Sequence, residues 1–203
     1  MGQLVKGFVT LDKDSGSGND TVTASANSHN TGRVARQVTF TWSAVNVTPV
    51  DRILVQKGKG EATSIQSAAA AAKEGQTLTL TGTSNSKQLT FSKGIDNIGL
   101  TIPATYLANT VQTNNGAMIA GDPGATAEYP FAIQFTVPAN TGVSPKTCQI
   151  IVTDEGGNTY TCLITLAAGD AYLTVGQPSG ELNWDGSNTV TIAVQSNTSW
   201  TIA

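Results

Sequence analysis

Charge is what this sequence has least of. Charged residues make up 12% of the 203, against roughly 25% in an average soluble domain, so Thr, Ser, Asn and Gly must supply most of the polar surface. The eleven basic residues are scattered from Lys6 to Lys146, none follows Lys146, and the net charge is −3. No basic stripe is available to release counterions from a phosphate backbone, which argues against nucleic-acid binding, and no polybasic segment suits a membrane surface. Apolar runs are short. None reaches the roughly 18 residues of a membrane-spanning helix. The opening Met1-Gly2-Gln3-Leu4-Val5-Lys6-Gly7 has no apolar core of the kind a secretory leader needs, and Lys6 stands where a myristoylation signal has Ser or Thr. With Met1 as the start, synthesis and residence in the cytoplasm are expected until the chain is assembled into something.

Histidine and cysteine are nearly absent. His29 is the only histidine, so any Ser-His-Asp or Cys-His catalyst must use it; it lies in Asn27-Ser28-His29-Asn30, which reads as an exposed turn. No His/Cys cluster has zinc spacing. Asp12-Lys13-Asp14-Ser15-Gly16 lacks the remaining ligands of a calcium loop, and Gly16-Ser17-Gly18 lacks the third glycine and the Lys of a phosphate cradle; both read as turns. Asp154-Glu155, a conceivable half of a carboxylate pair, sits beside Gly156-Gly157, where solvated turn charge is the ordinary reading. The expectation is therefore a protein that is no enzyme, with no catalytic residue, no cofactor and no metal ligand, and with any ligand-binding residues unknown. The sequons at Asn19, Asn46 and Asn197 are of the frequency that Asn- and Thr-rich composition produces by chance.

What is present is alternation. Val38, Phe40 and Trp42; Leu78 and Leu80; Phe131, Ile133, Phe135 and Val137; Cys148, Ile150 and Val152; and Val190, Ile192 and Val194 each place apolar residues on one face of a strand, and Gly/Asn/Asp/Pro clusters punctuate them. The fold class expected is all-β, with sheets packed as sandwiches of about 100 residues each. Trp42 and Trp200 run in phase with apolar neighbours and are expected in a core; for Trp184, beside Asp185-Gly186, exposure is the lesser reading. One stretch breaks the pattern: five alanines between Ser67 and Lys73-Glu74-Gly75 predict one or two helical turns capped by Ser67 and ended by Gly75.

Around Asp154-Glu155-Gly156-Gly157-Asn158 a three-residue loop, Glu155 to Gly157, sets Ile150 opposite Cys162 and Cys148 opposite Ile164. The two thiols are then diagonal neighbours, poorly placed for a disulfide, and are expected as buried free thiols.

The chain also repeats itself. Asn30-Thr31-Gly32, followed by Arg36-Gln37-Val38-Thr39-Phe40, recurs as Asn140-Thr141-Gly142 and Lys146-Thr147-Cys148-Gln149-Ile150. The run from Leu78 to Ser86 recurs, at almost the same separation, from Val190 to Thr198. Two unrelated signatures with nearly one period predict a repeating unit and the division 1–60, 61–170 and 171–203: a partial first unit, a complete second, and the start of a third.

Tyr172-Leu173-Thr174-Val175, Gly180-Glu181-Leu182-Asn183-Trp184, Val190 to Val194 and Ser196-Asn197-Thr198-Ser199-Trp200-Thr201-Ile202 resemble the opening half of a BACON domain, an immunoglobulin-like module. Gly16 to Val22, Asn30 to Arg33 and Arg36 to Phe40 are similar to its closing half. The resemblance covers about half the chain and departs from the family where Gln88 or Leu89 replaces the tryptophan and where Tyr106 to Asp122 has no counterpart. It implies tandem immunoglobulin-like β-sandwiches of a kind found in Bacteroidetes proteins and in virion proteins of crAss-like phages. The expected role is a virion structural protein, a capsid decoration or head-fibre protein, anchored by residues 1–60. Its expected partners are capsid or other virion proteins, neighbouring copies of itself and host surface glycans. The alternatives are a carbohydrate-binding or spacer module of a bacterial surface protein, and a tail or adhesion protein.

Overall fold

A computed structural model describes residues 2–102, 105–107, 121–176 and 179–203. Most of the stretch from Tyr106 to Asp122 lies outside the described residues. The fold is built of strands, with a single short 3-10 turn at Pro123–Ala125 among the described residues. No helix among them is long and apolar enough to cross a membrane.

The first strands are β1 (Leu4–Lys6), β2 (Val9–Leu11) and β3 (Ala24–Ala26), antiparallel in that order, followed by a hairpin of β4 (Arg36–Ala44) and β5 (Val47–Gln56). Asn46, at φ 60, turns this hairpin, a conformation that Asn tolerates better than other side-chain-bearing residues. Phe8, Val9 and Leu11 pack on Phe40, with Val38 and Leu54 at the margin, as a small core of their own.

The second and larger core lies at residues 61–170. One sheet holds β6 (Thr63–Ile65), β8 (Gln76–Ser84) and β11 (Tyr129–Val137), in the order β11-β8-β6. The other holds β7 (Ala68–Ala71), β9 (Gln88–Asp96), β10 (Thr105–Leu107), β12 (Lys146–Asp154) and β13 (Thr159–Leu166), in the order β10-β9-β12-β13-β7. Alternation explains the layering: Phe131, Ile133, Phe135 and Val137 from one sheet, and Cys148, Ile150, Val152, Cys162, Ile164 and Leu166 from the other, are all buried in one cluster. Beyond it, β14 (Leu173–Val175) and β15 (Val194–Ser196) form a two-stranded ladder.

The hairpin register is as read from the sequence, with Cys148 opposite Ile164 and Ile150 opposite Cys162. Both thiols are free and buried. Burial pushes the Cys148 thiol up to about 11, with the Asp96 carboxylate adding to the effect, and burial also raises Cys162. Thiolates are the reactive form, so neither cysteine is expected to react with iodoacetamide in the native chain at neutral pH, and both are expected to react in denaturant. Labelling of either one without denaturant, read by intact mass, would contradict this packing.

The alanine run is a strand. Residues Ala68–Ala71 pair in parallel with Leu163–Leu166; Ser67 caps no helix, and its carbonyl accepts from the Leu163 N–H at 2.9 Å. A one- or two-turn helix bears the full cost of nucleation with few hydrogen bonds in return, whereas this run completes the edge of β13 and buries Ala71. Gly75, at φ +77, turns the chain as a glycine expected to end the segment should.

All three tryptophans depart from expectation: Trp184, for which exposure is the lesser reading of the sequence, is 98% exposed beside the Asp185-Gly186 turn. Trp42 is 40% exposed and Trp200 47% exposed. Trp42 lies two residues past Phe40, lines an open cleft with Leu4 and Leu11, and leans its ring against Phe40 at 6.0 Å. Trp200 follows a stretch in which only Val194–Ser196 is strand and Ile192 is exposed, so the alternation of Val190, Ile192 and Val194 meets no second sheet among the described residues.

Candidate functional site

The arrangement with the most structure behind it is the junction between successive repeats. It begins with two asparagines. Asn30 donates through Nδ2 to the carbonyls of Val34 (2.9 Å) and Lys57 (3.3 Å) and accepts at Oδ1 from the Gly32 N–H (3.2 Å). Asn140, its counterpart one repeat later, makes the same bonds, to Ser144 (2.8 Å) and Ala167 (2.9 Å) and from Gly142 (3.1 Å). Lys59 N–H donates to Gly32 O, and Gly169 N–H to Gly142 O. The hairpin pairing repeats as well, Arg36 with Gln56 and Lys146 with Leu166.

A second pair joins each repeat to the next. Asn85 accepts from the Ala62 N–H at 2.7 Å and donates to the carbonyls of Thr31 (3.2 Å) and Gly60. Asn197 accepts from the Tyr172 N–H at 3.0 Å and donates to the carbonyls of Thr141 (3.1 Å) and Asp170 (2.8 Å). Both stand at the end of matched ladders, Thr63 with Ser84 and Ile65 with Gly82 in one, Leu173 with Ser196 and Val175 with Val194 in the other. The two signatures that recur in the sequence are thus a repeated set of hydrogen bonds.

The first junction is the tighter of the two. Arg33 and Val34 N–H groups donate to the carbonyls of Gly124 and Ala125, each at 2.9 Å. The Arg33 guanidinium donates to Asn85 O at 2.6 Å and to the Asp122 carboxylate, with Glu61 at 3.4 Å. Backbone lies directly on backbone: a Cβ at Gly32 would stand 2.3 Å from the Thr126 carbonyl carbon, and one at Gly124 would stand 1.9 Å from Asn85 O. The residue matching Arg33 in the second junction is Val143, which is exposed. Glu61, Asn85 and Asp122 escape sequence reading because they lie 28, 52 and 89 residues from Arg33, which they meet; the only clue was the repeated Asn.

The residues weighed for chemistry are dispersed. His29 is exposed on its loop. Asp12 accepts from the Thr23 N–H, Asp14 from the Gly2 N–H, and Lys13 pairs with Asp20 at 2.6 Å, so these carboxylates brace the long β2–β3 loop, which also carries Gly16-Ser17-Gly18. Asp154 is not solvated as expected: it is buried and accepts from the Asn158 N–H at 2.9 Å and from the Asn158 side chain. Glu155 accepts from the Lys87 N–H. Asp96 binds the N–H groups of Ile98 and Gly99 and the Lys93 ammonium; burial opposes its ionisation, but these bonds hold its carboxyl well below the usual range. Among the described residues no three His, Cys, Asp or Glu side chains are grouped to hold a metal ion.

Two of the open surfaces among the described residues carry a tryptophan. Trp42 lines a cleft of about 350 Å³ together with Leu11, Lys13, Asp14 and Phe40. Trp184 is 98% exposed. What the arrangement as a whole can do is fasten one stretch of strands to the next, using bonds aimed at main-chain atoms.

No protein-family model matches this chain, and a search of curated proteins finds no match either.

Proposed function

We propose that this chain is a non-enzymatic structural protein of tandem immunoglobulin-like, BACON-like modules. It serves in a phage virion as an auxiliary capsid (decoration) or head-fibre protein, made in the host cytoplasm and bound to the capsid surface through residues 1–60. The observation that carries this reading is the recurrent junction, because units joined by the same hydrogen bonds make a projecting array of set geometry. The resemblance of residues 16–40 and 172–202 to BACON halves supports the virion role, and a chain with 12% charged residues has few with which to guard strand edges, which suits burial against neighbours in an assembly.

Co-sedimentation with phage particles, followed by hydrogen exchange, tests it. Amides within residues 1–60 are expected to gain protection on the particle beyond that of the free chain at equal concentration. Equal protection in both states would overturn the reading.

A second reading, a glycan-binding module of a bacterial surface or adhesion protein, is favoured by one observation, the full exposure of Trp184. Aromatic faces exposed in this way can stack on apolar sugar faces. Glycan-array affinity lost in Trp184→Ala would decide for it.

A further inference from the structure

The hairpin β4–β5 has two open edges where its equivalent, β12–β13, has none. In the second repeat β9 pairs with β12 and β7 with β13; among the described residues β4 and β5 pair only with each other. The donor groups that face the open edge of β5 follow from the shared register. Leu163 and Ala167 donate to the carbonyls of Ser67 and Ala71, and their equivalents are Ile53 and Lys57. Ile53 and Val55, on this edge strand, are 57% and 60% exposed.

What fills the matching edge in the second repeat continues into a turn. After Ala68–Ala71 the Gly75 N–H donates to Ala72 O at 3.0 Å, and Gly75 lies against the next segment so closely that a Cβ there would stand 2.5 Å from Val137 O and 2.8 Å from Ala139 N. The residues equivalent to Val137–Ala139 are Asn27, Ser28 and His29. In the first repeat this place is empty: Ala26, Asn27, Ser28, His29 and Gln56 line an open depression of about 190 Å³.

The third repeat carries the same turn without a seat for it. Gly186 N–H donates to Asn183 O at 3.0 Å, at φ +70, and a Cβ there would meet nothing within 4 Å. The preceding residues 179–182 are in no strand. Leu182, which matches Ala71 (5% exposed), is 70% exposed. Charge agrees: this donor segment holds Glu181 and Asp185 and no base, while Arg36, bonded to Ser28, and Lys57 flank the depression. Residues 173–175 and Asn197 stay bonded within their own chain, so only the intervening loop need reach out.

We propose that residues 179–186 of one copy dock on the first repeat of a second copy. Residues 179–182 add as a strand parallel to Ile53–Gln56, and the Asn183–Gly186 turn seats in the depression at Ala26–His29. The contact joins two different surfaces, so it is heterologous and propagates head to tail.

Sedimentation velocity of the intact chain over rising concentration tests it, with two variants. Val55→Pro removes the outward N–H that lies between those of Ile53 and Lys57 on the acceptor edge, opposite Gly180 of the donor, where proline is tolerated. Leu182→Asp with Gly186→Asn blocks the donor, since Asn accepts the left-handed conformation while its side chain cannot enter the seat. The parent chain is expected to grow past dimer without a stop. Each variant alone is expected to stay monomeric with an unfolding midpoint close to the parent's. Mixed in equal amounts, the two are expected to form a capped heterodimer, because one keeps a live donor and the other a live acceptor. A parent chain that is monomeric at all concentrations, a dimer formed by either variant alone, or a mixture that stays monomeric overturns the proposal. So does a monomeric parent whose β5 amides are protected only when phage particles are added, which assigns the edge to another protein.

Discussion

Asn85→Ala is expected to lower the unfolding free energy by about 3 kcal/mol, since it breaks three part-buried bonds to main-chain groups, whose loss costs typically 1–3 kcal/mol each with partial relief from water. The side chain is fully buried and closes contacts to Thr31 and Gly60 on one side of the first junction and to Ala62 on the other. Asn197→Ala removes the same set of bonds at the second junction, but these are exposed and water can replace them, so a loss under about 1 kcal/mol is expected. Chemical denaturation of both variants measures the contrast. Equal losses at the two sites would mean that burial does not distinguish the junctions. Asn85→Asp separates geometry from chemistry: it keeps the acceptor for Ala62 but faces two carbonyls with a carboxylate, and is expected to cost at least as much as alanine.

Phe131→Ala is expected to cost about 3–5 kcal/mol, the usual range for emptying an aromatic site in a core that cannot collapse. Phe131 has no exposed surface, and its cross-strand partner is Gly82. The ring lies over that glycine, so close that a Cβ on Gly82 would stand 2.6 Å from it. The ring therefore fills the space of two side chains, and its loss opens a cavity that no neighbour on β8 can enter. The urea midpoint followed by far-UV circular dichroism should fall sharply. Because the first repeat has a separate core around Phe40, Trp42 fluorescence should report a smaller shift. A Trp42 transition displaced as far as the dichroism would show that the two cores unfold as one.

The strands that sequence alone revealed are those whose apolar faces meet another sheet. Phe131 to Val137 and Cys148 to Val152 alternate because one face is buried, and the three-residue turn from Glu155 to Gly157 set the hairpin register. Where tertiary context decides, local signals misled. The alanine run is a good helix former, yet the free edge of β13 gives it a ladder. Trp42 alternates with Phe40 but lines an open cleft instead of a packed core. Asp154 looked like turn charge because nothing local shows that Asn158 folds back to satisfy it. The repeated asparagines were visible as a motif, but their partners are carbonyls and N–H groups, which leave no mark on residue type.

That last property bears on how such a chain can lengthen or diverge. An asparagine that reads only the peptide backbone of its neighbour asks nothing of the neighbour's side chains. A unit can be duplicated, exchanged or appended at such a joint without a matching change on the other side, and the surrounding surface is free to drift. The first joint has side-chain specificity as well, through Arg33, Glu61 and Asp122, which ties that pair of units to each other; the second, with Val143 in the place of the arginine, is a general-purpose coupling.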